Sequence, residues 1–258
     1  MTGLLCVFIF GSVNTVIASP VNLPSGIKGE KGALLQEDLF KDVGLSGSFL
    51  YDHVAERELE DSVKANFDFI GGKIALSCLN RFDFYTMLGG VQNPEYEENI
   101  SGSKITVNLE DNFMWGLGAS AIVYEWKDVG IQMFGDGNYR KTGGMEIDSL
   151  TINGTQYSKS SLGVTATDVK WEEWQIALGI SKKFQYFIPY AGIKYSDIKT
   201  SLKATVSGTT YDSGSTSSDA KVGPFIGLSI LPAEGFSVDI SGRFVDEQAV
   251  SVAATVRF

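Results

Sequence analysis

The residues best equipped for acid–base chemistry are few. His53 is the single histidine and follows Asp52. An imidazole beside a carboxylate can act as a general base when a nucleophile or a held water lies within hydrogen-bond reach. Nothing in the spacing of this sequence supplies that nucleophile. His53 therefore reads as a rim residue, and neither a catalytic set nor an enzyme is expected. Glu95, Glu97, Glu98, Glu110 and Asp111 cluster within one stretch. Calcium favours such oxygens, but the spacing is not that of an EF-hand. The cluster reads as a solvated loop with loosely held divalent ions. Cys/His zinc spacing and a phosphate-cradling glycine loop are both missing, so no metal site and no cofactor are expected.

A second set of polar residues is defined by position. Asp52, Asp68, Asp83, Asp136, Glu173 and Asp239 on one side, and Lys64, Arg81, Lys194, Lys221, Arg243 and Arg257 on the other, each sit opposite an apolar face. The two signs are balanced. If these twelve line a narrow interior, opposed charges could pair across it and fill it, because an unpaired buried charge is costly.

The elements that would position them are strands. From Gly44 onward the dominant signal is apolar–polar alternation with period two. At the end of the chain Val250, Val252, Ala254, Val256 and Phe258 oppose Ser251, Ala253, Thr255 and Arg257. Trp174, Ile176, Leu178 and Ile180 oppose Glu173, Gln175, Ala177, Gly179 and Ser181. Near the start, Val63, Ala65, Phe67 and Phe69 oppose Lys64, Asn66 and Asp68, whereas later Ile74 and Leu76 oppose Lys73 and Ser77. A bulge at Gly71-Gly72 would re-phase the strand. Connections alternate between short ones (79–81, 126–128, 182–186, 231–235) and long ones (90–112, 140–169, 202–218). This is the pattern of tight inner turns and longer outer loops in a membrane barrel. The fold expected is all-β, an antiparallel transmembrane β-barrel of about ten strands, with eight or twelve as alternatives. A soluble sandwich would also alternate. Against it stand Phe, Trp, Tyr, Val and Ile on one face of nearly every strand.

Composition fits this fold. The 258 residues carry 43% hydrophobic and 20% charged residues, and the 29 glycines suit turns and strands better than helices. Apolar stretches in the chain after residue 18 stay well short of the roughly 18 residues a membrane helix needs. The net charge of −10 disfavours a nucleic-acid partner. Residues 1–18 hold an apolar run from Leu4 to Phe10, with Val16 and Ala18 placed for signal-peptidase cleavage before Ser19. No basic residue precedes the run, which points to a true start upstream. Cys6 falls in this segment, so Cys78 would be the only cysteine of the processed chain. Residues 19–42 are expected to form a periplasmic leader, a lumen plug or a short surface helix, and 43–258 the barrel.

The aromatic Phe258, with apolar residues two, four and six places before it, is similar to the carboxyl-terminal signal read by the outer-membrane assembly machinery. Four segments carry a narrower likeness: RFDFYTMLGG (81–90), FMWGLGASAIVYEW (113–126), EWQIALGISKKFQYFIPYAGIKYS (173–196) and GRFVDEQAVSVAATVRF (242–258). Together with SPVNLPSG from Ser19, the chain resembles the chlamydia-type major outer-membrane porins. The chain is shorter than those porins and lacks their cysteine-rich character. The resemblance implies a porin-like barrel in the bacterial outer membrane that passes ions or small solutes. Length and the balanced interior point to the alternative, a closed structural or surface-interaction barrel acting through its loops. The expected partners are outer-membrane lipid, lipopolysaccharide and the assembly machinery, with a homo-oligomer possible.

Overall fold

The computed structural model describes residues 19–28, 43–60, 63–100, 102–206 and 208–258. Residues 1–18 and 29–42, on which the signal segment and most of the leader fall, lie outside the described residues. A single helical turn, α1 (Ser25–Lys28), precedes the strands. In chain order these are β1 (Val43–Glu58), β2 (Lys64–Cys78), β3 (Phe82–Ile100), β4 (Ser103–Leu109), β5 (Asn112–Trp126), β6 (Ile131–Met145), β7 (Ile147–Ile152), β8 (Thr155–Ser158), β9 (Val164–Lys182), β10 (Phe187–Val206), β11 (Thr209–Thr216), β12 (Val222–Ala233), β13 (Phe236–Arg243) and β14 (Gln248–Arg257).

Ten of them close a ring in the order β1-β2-β3-β5-β6-β9-β10-β12-β13-β14, every pairing antiparallel. The last strand returns to the first, with Ser46 opposite Arg257 and His53 opposite Val250. Closure removes the free edges that a bilayer would not tolerate. Tight turns join β2 to β3, β5 to β6, β9 to β10 and β12 to β13 at one end. There Leu79 and Asn80 take φ of 57° and 50°, a conformation asparagine accepts more readily than most residues.

The apolar outer face forms a belt. Ile176 is 59% exposed and Ile193 60%, although both are large and apolar. In water such a surface would be a liability, but against acyl chains it is the stable arrangement. Aromatic pairs bound the belt. Trp174–Tyr195 (5.1 Å) and Trp115–Tyr139 (5.9 Å) lie toward the long connections, and Tyr124–Trp126 (4.7 Å) and Phe184–Phe187 (4.8 Å) toward the short turns. Between the Trp174 and Phe184 levels stand Ile176, Leu178 and Ile180, about the length that a tilted strand needs to cross the hydrocarbon.

Two expectations need correction. The long connections are mostly not loops. Strands β3, β6, β9 and β10 continue past the belt, and β4, β7, β8 and β11 pair onto them as an outer extension. The re-phasing at Gly71-Gly72 does not occur either, since β2 stays in unbroken register with β1 through Phe49–Gly72 and Leu50–Gly71. Ala65, Phe67, Phe69, Lys73, Ala75 and Ser77 all point inward. What changes along β2 is the medium. Inside the belt the outer face meets lipid and is apolar. Beyond it the outer face meets water and is polar, while the apolar side chains turn to the interior.

Candidate functional site

The barrel interior is filled in three layers. The middle layer is ionic. Asp52 and Arg57 from β1, Arg140 from β6, Glu173 from β9, Lys194 from β10, Arg243 from β13, and Asp246 and Glu247 from the β13–β14 connection are each at most 1% exposed. Period two alone would point Arg57 outward. A register shift between Val54 and Arg57 in β1 turns it into the lumen. Val245, at φ 79°, makes the strained bend after which Asp246 and Glu247 lie buried inside.

The contacts of this layer cross the barrel. Arg57 Nη1 lies 3.7 Å from Glu247 Oε2 and 4.0 Å from both Glu173 Oε1 and Asp246 Oδ2. Arg140 Nη2 reaches Glu173 Oε2 at 3.1 Å, and its Nη1 lies 3.7 Å from Asp52. Arg243 donates to Asp52 Oδ1 at 2.7 Å, to Glu247 Oε1 at 2.6 Å and to the Ser251 hydroxyl. Lys194 Nζ lies 2.5 Å from both Asp246 and Glu247. Each charge is thereby matched, which is the condition for keeping it ionised away from water. Among the described residues the buried ionisable side chains are five cations (these four with Lys28) and six carboxylates (these four with Asp83 and Asp136).

The layer beneath, toward the short turns, contains residues 19–28. Val21, Leu23 and Ile27 pack with Ile122, Phe134, Ala177, Ile188, Tyr190 and Phe225 of the wall. Polar bonds fix the segment along its length. Ser19 N–H donates to Glu173 Oε1 at 3.2 Å, and Asn22 donates to Tyr85 Oη at 2.9 Å while accepting from Lys73 at 2.6 Å. Ser25 N–H donates to Asp83 at 2.7 Å, and Lys28 donates to Asp239 at 2.7 Å and to Ser237 at 3.0 Å. Ser19 is thus the deep end and Lys28 the end nearest the turns. Gly26 is required here, since a Cβ would overlap the Asn80 carbonyl oxygen. Tyr85 and Tyr190 lie flat on Gly118 and Gly227 of the adjacent strands, where a side chain would overlap their rings. The cavity left between the segment and the wall is about 30 Å³, room for about one or two waters.

The third layer, toward the outer extension, is apolar. Val54, Phe69, Met87, Val91, Met114, Trp171 and Ile198 are all buried in one cluster. The Arg140 guanidinium lies 5.6 Å from the Trp171 ring centre, joining this layer to the ionic one.

Of the twelve candidate lumen residues, Asp52, Asp83, Asp136, Glu173, Lys194, Asp239, Arg243 and Arg257 project inward. Four do not. Lys64 pairs with Glu56, and Asp68 accepts from Tyr51 and pairs with His53, all on the outer surface beyond the belt where the face polarity has inverted. Arg81 lies in a short turn and donates to the Ile122 and Val123 carbonyls. Lys221 sits at the rim before β12 and pairs with Asp197. Sequence reasoning missed Arg57, Arg140, Asp246, Glu247, Lys28 and Lys73. Arg140 was legible, since it continues the inward row Asp136, Asn138. Arg57 depends on a bulge, and Asp246 and Glu247 on a bend, neither of which leaves a periodic trace.

On the outer extension, Lys159 bridges Glu146 at 2.8 Å and Glu110 at 3.1 Å. Its hydrogen bonds to Glu146 and then Glu110 hold it above the ordinary lysine value. Among the described residues no three His, Cys, Asp or Glu side chains are placed to share a metal ion.

No family model matches the chain. Among curated proteins it is similar to the major outer membrane porin, serovar H, of Chlamydia trachomatis, with 20% identity covering 73% of this chain and 62% of that protein. The serovar L3 porin of the same organism is 24% identical over 40% of this chain and 36% of that protein. The chain spans about three-fifths of the length of the serovar H porin. Among solved structures, the outer membrane protein OprG of Pseudomonas aeruginosa covers 89% of this chain and 97% of its own at TM-score 0.41 and 9% identity. The translocator domain of the autotransporter NalP of Neisseria meningitidis covers 83% and 88% at TM-score 0.45 and 10% identity. With its closed ring and lipid-facing belt, the chain is a β-barrel of the bacterial outer membrane.

Proposed function

We propose that this barrel is a relative of the chlamydia-type major porins that is closed at rest and serves as a structural, surface-interaction element of the outer membrane. The observation that carries the reading is the ionic layer. Side chains from β1 and β9, on opposite sides of the ring, meet inside the lumen at zero exposure. A steady diffusion path needs a continuous wetted bore, and the three layers filled by the described residues stand across it. The working surface is then the outer extension built from β3, β4, β7 and β8, which faces lipopolysaccharide and the exterior. Phe258 ends the last strand on its lipid-facing side, with its N–H on the Leu45 carbonyl at 3.0 Å, and is the element offered to the assembly machinery. Liposomes loaded with the purified protein should not swell in isotonic small sugars or amino acids. Swelling at rates comparable to a general porin would overturn this reading.

A second reading, passage of ions or small solutes, is favoured by the relatives named as porins. In a lumen filled this way passage requires residues 19–28 and the ionic layer to rearrange, so it would be gated. It would show as rare openings instead of steady flux.

A further inference from the structure

We propose that the peptide bond before Ser19 is hydrolysed during export, and that the α-ammonium group so formed is a structural cation of the lumen, seated on the Glu173 carboxylate. Two observations meet at this atom. The Ser19 nitrogen lies 3.2 Å from Glu173 Oε1, and both residues are buried at the deep end of the segment. The two oxygens of Glu173 are unequally served. Oε2 accepts a hydrogen bond from Arg140 Nε at 3.2 Å and has Nη2 of the same guanidinium in ion-pair contact at 3.1 Å, whereas Oε1 faces Ser19 N and, only at 4.0 Å, Arg57. An ammonium at Ser19 sets a full positive charge on the less compensated oxygen of Glu173, and a charge-assisted bond is about twice as strong as a neutral one.

The sequence before the bond, with Val16 and Ala18 at the third and first positions upstream, is what an export peptidase accepts. In the reaction water adds across the Ala18–Ser19 amide and the C–N bond breaks. Ala18 leaves with the carboxylate and the Ser19 nitrogen takes the protons as –NH3⁺. An uncut chain offers Glu173 one neutral N–H, so processing strengthens the seating of residues 19–28. The inference goes beyond the proposed function, and its readouts do not depend on conductance.

The test uses the full protein purified from outer membranes. Intact-mass and amino-terminal analysis should place the first residue at Ser19. Brief treatment with an amine-acylating reagent should modify the α-amine at least tenfold more slowly than the exposed Lys104 in the folded barrel, and at a similar rate after unfolding. In Glu173→Gln that protection should fall at least fivefold. A first residue other than Ser19, an α-amine as reactive as Lys104, or unchanged protection in a folded Glu173→Gln barrel would each overturn the proposal. If Glu173→Gln does not fold, a chain refolded with Gly-Gly ahead of Ser19 and Glu173 intact carries the test. Its unfolding midpoint should lie below that of the chain starting at Ser19, and equal midpoints would overturn the proposal.

Discussion

Arg57 of β1 and Glu173 of β9 approach to 4.0 Å across the full width of the ring, both with no exposed side-chain surface. Strands five places apart around the barrel are thus tied through its centre. Removing one partner of such a buried set leaves the other charge uncompensated, at a cost of about 3–5 kcal/mol. Arg57→Ala should lower stability by that order in denaturant unfolding from bilayers. The double change Arg57→Leu with Glu173→Leu should cost less than the two single changes summed. Strict additivity would mean that the pair is not coupled.

The face inversion along β2 gives a test within one strand. Ile74 and Asn66 share the outer face, Ile74 within the belt and Asn66 beyond it. Ile74→Arg should cost about 2–4 kcal/mol if it lies near the midplane. Asn66→Arg should change stability by less than about 0.5 kcal/mol. Phe67→Ala, on the buried inner face, should cost about 3–5 kcal/mol. Equal penalties for Ile74→Arg and Asn66→Arg would contradict the placement of the belt boundary.

This same strand shows how far the sequence could be read. The ten-strand ring was legible, because lipid outside and packing inside impose an alternation that a one-residue slip would destroy. The interior positions of Asp52, Glu173, Lys194 and Arg243 followed from it. The assignment of Lys64 and Asp68 to the lumen failed because alternation reports which residues share a face and not which medium that face meets. The outer extension was hidden for a related reason. β4 and β7 face water on one side and a modest apolar cluster on the other, and the polar β8 is exposed throughout, so these strands look like loops. Placement of residues 19–28 rests on long-range bonds such as Lys28 to Asp239, which no local pattern encodes.

Gly118 and Gly227 seat the rings of Tyr85 and Tyr190. Gly118→Val should overpack this site and cost about 1–3 kcal/mol. Adding Tyr85→Ala should recover part of the loss in folding midpoint relative to Tyr85→Ala alone. No recovery would mean that the glycine is needed for another reason.

Residues 19–28 are anchored near the short turns by the Lys28–Asp239 pair. In a Cys78→Ser background, Ile27→Cys should react slowly with a maleimide, because Ile27 is almost fully buried. Adding Asp239→Asn removes the anchor and should raise the labelling rate severalfold. Fast labelling of Ile27→Cys with Asp239 intact would show that the segment does not rest in the lumen.

The central claim is that the lumen is closed by its own side chains. Single-channel recording of the purified protein in planar bilayers tests it most directly, on the wild type and on a variant lacking residues 19–28 with Arg57→Ala and Arg140→Ala. The account predicts no steady conductance from the wild type and measurable, cation-favouring openings from the variant, in which buried carboxylates lose their partners. A large, steady wild-type conductance that the variant leaves unchanged would contradict it.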